Sequence, residues 1–244
     1  MTLEPRPSVV PRHRGSHGVD IGVILMDTDA PRAVGDVGNA RTFDFPVGYT
    51  TAGGADTERV VEHNAAGLLD TFLAAGDELV SQGARAIGTS CGFVAIHQAQ
   101  MAARSEALVA TSALLQIPLV LQMLAPDDRL GVVTANARTL SGDHLKAVGI
   151  DETVSKRLTM IGLEDTEHFY PVMVGGHGPL NLDIAEQEVL TAVRDGLAED
   201  PAIKAIVLEC TNLPPYAEAI RATTGLPVWD VTTLLRWLQL GLHP

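Results

Sequence analysis

With 244 residues, 46% hydrophobic and only 4% aromatic, the chain has the length for one large or two ordinary globular domains packed with Val, Ile, Leu and Ala. Its formal charge of −13 argues against nucleic acid or an anionic membrane as partner, because binding phosphate requires a basic patch. No apolar run approaches the roughly 18 residues that span a bilayer. Residues 1–19 carry basic residues and Pro5, Pro7 and Pro11 but no apolar core segment, so they read as a loose leader and not as a signal peptide. These features together predict a cytoplasmic protein.

The elements then come in order. Asp20 to Met26 is a continuous apolar run, as a strand buried on both faces requires. Phe43 to Thr50 alternates around Pro46 and reads as an edge strand. Residues 58–82 run without proline and place Val61, Leu68, Leu69, Phe72 and Leu79 at helical spacing. A strand over 84–88 leads to Cys91, a helix follows from about Ala95 to Glu106, and Ile117 to Leu121 reads as another strand. A second series repeats this order. Leu130 to Asn136 is a strand, Arg138 to Val148 a helix, Thr159 to Leu163 a strand and Ile184 to Leu197 a helix. Ile203 to Leu208 leads into Cys210, Tyr216 to Ala222 is helical, Leu226 to Trp229 is a strand, and Thr232 to Leu242 is a last amphipathic helix. Strands alternating with helices predict an α/β fold of two pseudo-symmetric lobes, each a short parallel sheet flanked by helices, with the active site in the cleft between them. The predicted limits are 20–124 for the first lobe, 125–224 for the second, and 225–244 for a strand and helix packing back on the first.

The two cysteines occupy matching places, Thr89-Ser90-Cys91-Gly92-Phe93 and Glu209-Cys210-Thr211-Asn212-Leu213, each after a strand and before a helix. Carboxyl ends of parallel strands are where α/β proteins bind and transform ligands. A disulfide, a zinc site or inert packing are the competing uses. A disulfide fits poorly with a chain read as cytosolic. Zinc is disfavoured because no Cys-x-x-Cys or His-x-x-x-His occurs. Buried, unreactive thiols remain the plain alternative.

At these residues the chain resembles the aspartate/glutamate racemase superfamily, with its hydantoin racemases, maleate isomerases and arylmalonate decarboxylases. The matching elements are Ile21-Gly22-Val23-Ile24, Thr-Ser-Cys-Gly at 89–92, Gly-Val-Val-Thr-Ala-Asn at 131–136, Glu-Cys-Thr-Asn at 209–212 and Pro-Val-Trp-Asp at 227–230. The resemblance implies proton transfer, without a cofactor or metal, at a carbon beside a carboxylate. Cys91 and Cys210 are then the acid/base couple of a racemase or epimerase acting on an amino acid, hydantoin or related small carboxylate. A maleate-type isomerase or another lyase or isomerase of the superfamily is the alternative, and a non-catalytic acid-binding protein a further one. A thiol acts only as thiolate, which needs positive potential such as a helix N-terminus provides.

Ser90, Gly92 and Phe93, with Thr211 and Asn212, stand at helix starts where N–H groups can cradle an anion, although Ser, Thr and Asn there also serve as plain caps. Asp27, after the first strand, reads equally as a cleft residue or part of a turn. Asn136 has the same status, and Tyr49 and Thr50 end the second strand, where they are candidates to line the pocket. Gly92-Phe93 stands where aspartate racemases carry Asn-Thr, Asn212 where glutamate racemases carry His, and Glu209 where a small residue is common. These departures leave the substrate open. His97 is expected to pack or face solvent, and His177 to lie in a surface loop. Lys146, Lys156 and Lys204 have no setting for a pyridoxal Schiff base. The helix containing Leu234, Leu235, Trp237 and Leu238 is a candidate homodimer interface or a packing element for the first lobe.

Overall fold

A computed structural model describes residues 16–242 of the chain; most of the expected leader lies outside them. The first half runs β1 (Ile21–Met26), β2 (Val47–Ala52), a π-helical turn (Glu58–Glu62), α1 (Leu69–Ser81), β3 (Ala86–Thr89), a 3-10 turn (Gly92–His97), α2 (Gln98–Arg104), β4 (Leu108–Ala110), a 3-10 turn (Ala113–Gln116) and α3 (Ile117–Met123). The second half runs β5 (Arg129–Thr134), α4 (Gly142–Ala147), α5 (Glu152–Ser155), β6 (Leu158–Gly162), α6 (Phe169–Met173), α7 (Leu182–Glu199), β7 (Ile203–Leu208), a 3-10 turn (Pro214–Tyr216), α8 (Ala217–Thr224), β8 (Val228–Trp229) and α9 (Val231–Leu242).

The strands form two parallel sheets of the same order, β2-β1-β3-β4 and β6-β5-β7-β8. Each first strand is internal, which is why Ile21, Val23, Ile24, Leu130, Val132 and Val133 are all fully buried. In each sheet the chain leaves the first strand towards one side and later returns on the other. The loops after β1 and β3, or β5 and β7, therefore diverge and open a crevice at the strand ends. One apolar cluster contains β1 and β3 residues together with Leu130, Val132, Ala205 and Val207 of the second sheet, so the lobes share core. A second cluster lies among β5, β7, α7 and α8. β8 pairs with β7, while α9 lies against β3, where Leu235 packs over Gly88.

Three readings need correction. Ile117 to Leu121 is not a strand but the body of α3: Ser112 accepts from Leu114 N–H, Pro118 sits in the first turn where no N–H is needed, and Ile117, Val120 and Leu121 face inward at helical spacing. The first sheet's fourth strand is instead Leu108–Ala110. The helix predicted over 58–82 is split, because Asn64, Ala65 and Gly67 adopt left-handed backbone conformations. The strand predicted from Phe43 begins at Val47.

Candidate active site at the paired strand ends

β3 and β7 deliver Cys91 and Cys210 to a place where the two strand-end loops touch. Thr211 Oγ1 donates to Ser90 O across the lobes at 2.6 Å. A Cβ placed on Gly92 would meet Glu209 Oε1 at 2.2 Å and Glu209 O at 2.4 Å, so a side chain there is excluded by the opposite lobe. Both thiols are free and buried, and each senses the other side of this contact.

Burial is the main influence on both, because it penalises the thiolate. It pushes Cys91 up to about 12, aided by the Glu209 charge and opposed by the Phe93 and Val94 N–H groups and by Arg32. Cys210 is pushed well above the ordinary thiol range by burial, then by Glu209, Cys91 and Asp36, with the Asn212 N–H opposing. Its sulfur lies 3.6 Å from Asn212 Oδ1. Glu209 itself is pushed up to about 7 by burial, against one hydrogen bond from Thr134 Oγ1 at 2.7 Å.

Arg32 and Asp36 are side chains the sequence reading missed. They sit in the loop after β1 as an ion pair at 3.1 Å, with Asp36 buried. Asp36 also accepts from Gly38 N–H at 2.7 Å and Asn212 Nδ2 at 2.6 Å. Burial raises the Asp36 carboxyl, while Arg32, Asn212 and Gly38 pull it back. Arg32 reaches Ser90 Oγ at 3.4 Å, and Ser90 Oγ also accepts from Met26 N–H at 2.9 Å. The loop is pinned to the second lobe at Gly35, whose φ of 107° suits glycine and whose α-carbon faces Pro215. Nothing local in Ala30-Pro31-Arg32 announces this reach, since its partners are distant in sequence.

The remaining candidates divide. Ser90, Gly92, Thr211 and Asn212 gather around the thiols. Phe93 contributes its N–H, but its ring is buried edge-on against His144, 5.2 Å between centroids. Tyr49 donates to Val37 O at 3.2 Å, and burial followed by the Asp36 charge pushes its hydroxyl up to about 12. Thr50 pairs with Ile24 along β1. Asp27 accepts from Gly54 N–H at 2.7 Å and lines an open cavity of about 650 Å³ with Asp29, Asp56, Glu58 and, from the second lobe, Gly175 and Gly176. Asn136 instead joins a bridge between the lobes: its Nδ2 donates to Glu62 Oε1 and to the Tyr170 hydroxyl oxygen at 3.2 and 2.8 Å, and that hydroxyl donates to Glu62 at 2.6 Å. His97 is buried on Ala65 O. Among the described residues, no three His, Cys, Asp or Glu side chains gather as a metal-binding group, and no helix is long and apolar enough to cross a membrane.

No protein-family model matches the chain. It is 32% identical over 221 residues to dimethylsulfoniopropionate lyase 3 of Emiliania huxleyi, covering 87% of this chain and 57% of that protein. It is 28% identical over 215 residues to the dimethylsulfoniopropionate lyase of Durusdinium sp. clade D, covering 86% and 70%. The chain thus spans little more than half the length of the first of these relatives. Among solved structures, allantoin racemase from Klebsiella pneumoniae matches with a TM-score of 0.57 at 16% identity, covering 91% of this chain and 89% of the other. Glutamate racemase RacE1 from Bacillus anthracis matches with a TM-score of 0.55 at 14% identity, covering 92% and 83%. The fold of the chain is that of the aspartate/glutamate racemase superfamily.

Proposed function

We propose that the chain is a cofactor-independent lyase of a β-sulfonio carboxylate, dimethylsulfoniopropionate or a close analogue, with Cys91 as the base. The substrate class rests on the two sequence relatives. The choice of a one-base elimination rests on the unequal setting of the thiols: the Phe93 and Val94 N–H groups and Arg32 favour the Cys91 thiolate, whereas at Cys210 the Asn212 N–H is opposed by the charge of Asp36. In the reaction Cys91 thiolate takes a proton from the carbon beside the carboxylate. The C–H electron pair becomes the new carbon–carbon double bond, and the carbon–sulfur bond breaks with its pair passing to sulfur. Acrylate and neutral dimethyl sulfide result. A neutral leaving group needs no acid, so Cys210 stays a thiol and contributes shape and polarity. N–H groups at the two strand-end loops and Ser90 Oγ serve the substrate carboxylate as it gains enolate character. The acidic cavity at Asp27, Asp29, Asp56 and Glu58 favours approach of a sulfonium cation.

A second reading is a two-thiol racemase of an α-substituted acid, favoured by the electrostatic influence of Cys91 on the buried Cys210 sulfur. One experiment separates them. The protein is incubated with dimethylsulfoniopropionate while headspace dimethyl sulfide and dissolved acrylate are measured, and in parallel with amino acids and hydantoins in deuterated water. Equimolar dimethyl sulfide and acrylate are expected. Deuterium uptake with inversion in the second panel, without dimethyl sulfide in the first, overturns the lyase reading.

A further inference from the structure

Glu209 ends β7 immediately before Cys210 and is fully buried. Its N–H donates to Val133 O at 2.8 Å, which fixes the backbone. Oε2 accepts from Thr134 Oγ1, whereas Oε1, equally buried, has no hydrogen-bond partner. That orphaned oxygen is pressed against the α-carbon of Gly92, the residue after Cys91. One carboxylate therefore lies in contact with both thiol-bearing loops.

Among the described residues, no cation neutralises it. Arg32 is committed to Asp36, and β5 offers only the uncharged Thr134. The 3-10 turn packed on β7, Ala113–Gln116, carries no charge. The turn after Cys91 contributes that thiol and His97, and α4 behind it contributes His144. Burial lowers both imidazoles and so keeps them neutral. A buried carboxylate with one neutral donor is far costlier than the corresponding acid, and burial accordingly pushes Glu209 up to about 7. After burial, its charge is the largest influence raising each cysteine.

We propose that Glu209 is a positioning residue that sets the charge of the site: as a neutral acid it lets the buried pocket hold one negative charge as Cys91 thiolate, and as a carboxylate it takes that charge itself. No bond to Glu209 changes in turnover; the proton that matters leaves sulfur, while the O–H of Glu209 stays intact. This regulation rests on Cys91 being the reactive thiol, and it predicts a loss of thiolate gain with rising pH where an ordinary thiol would keep gaining.

The test needs no substrate. Iodoacetamide labelling of Cys91 is quantified by mass spectrometry across neutral and alkaline pH in the wild type, Glu209→Gln and Thr134→Val. The wild-type rate should climb with pH and then flatten above about pH 7, where Glu209 ionises. Glu209→Gln should keep climbing roughly tenfold per unit and exceed the wild type by about tenfold near pH 9, the size expected of one charge several ångströms away. Thr134→Val, which removes the donor that favours the carboxylate, should move the flattening to higher pH and gives an answer even if the glutamine variant fails to fold. Superimposable profiles, or slower labelling of either variant in the alkaline range, overturn the proposal. Labelling as expected without dimethyl sulfide release rejects only the lyase reading.

Discussion

The two strand ends share a topology and differ in their electrostatics. After Cys91 the chain turns at once into a 3-10 helix, so the Phe93 and Val94 N–H groups favour the thiolate. After Cys210 the corresponding helix is delayed to Pro214, and Pro214 and Pro215 have no N–H to offer. The first lobe also sends Arg32 towards its own thiol, while Asp36 from the same loop opposes the thiol of the second. A repeated fold fixes where two sulfurs meet. Which of them becomes a base is decided by a few residues that the repeat does not share.

Replacing the thiols one at a time puts this inequality to its hardest test. Cys91→Ser should lower kcat for dimethyl sulfide release by about 10³-fold or more, in the range of a lost general base. Cys210→Ser should cost about 10-fold, because a hydroxyl keeps the shape and the polarity. Equal, near-total losses from both variants would make the site a two-base device and return the racemase reading to first place.

Next in size is the ion pair that favours Cys91. Arg32→Met leaves Asp36 buried without its cation, and stability near neutral pH should fall by about 3–5 kcal/mol. The pH dependence has a definite sign. Asp36 already has a folded pKa raised by burial, and losing Arg32 raises it further. The penalty is therefore absent below the unfolded value of 3.8 and grows as pH rises towards the folded one. Urea denaturation at acid and neutral pH checks this, and the double variant Arg32→Met/Asp36→Leu should recover most of the loss. A penalty independent of pH would mean that the arginine acts through packing alone.

Much of this arrangement is legible from sequence, for a physical reason. Strands buried on both faces must be continuous apolar runs, so residues 21–26, 130–133 and 205–208 stand out, and the residues that follow them are positioned by the fold. The short edge strand Leu108–Ala110 has no such run, whereas the branched residues of Ile117–Leu121 serve a helix as well as a strand. Arg32 and Asp36 were invisible because their roles depend on Ser90 and Asn212, contacts across 58 and 176 positions. Asn136 looked like a pocket residue from its place after β5, but its partners Glu62 and Tyr170 belong to other elements. Periodicity reports which face of an element is buried, and nothing in it encodes the partner of a single polar side chain.

The smallest expected effect concerns the contact through which the two ends meet. Thr211→Val removes the hydroxyl that donates to Ser90 O across the lobes and leaves that buried carbonyl one bond poorer. A single neutral hydrogen bond is worth about 1 kcal/mol, so thermal unfolding should shift down by about 2–4 °C for a chain of this size. The shift stays small because the lobes also share an apolar cluster that includes Leu130, Val132, Ala205 and Val207. The effect on labelling should be unequal as well. Thr211 adjoins Cys210, whereas Gly92, its counterpart beside Cys91, has no side chain with which to bridge. Cys210 should therefore gain reactivity as its loop loosens, and Cys91, held by the 3-10 turn that follows it, should change little. If both thiols respond alike, the strand ends move as one body, and the difference between them lies in charge alone.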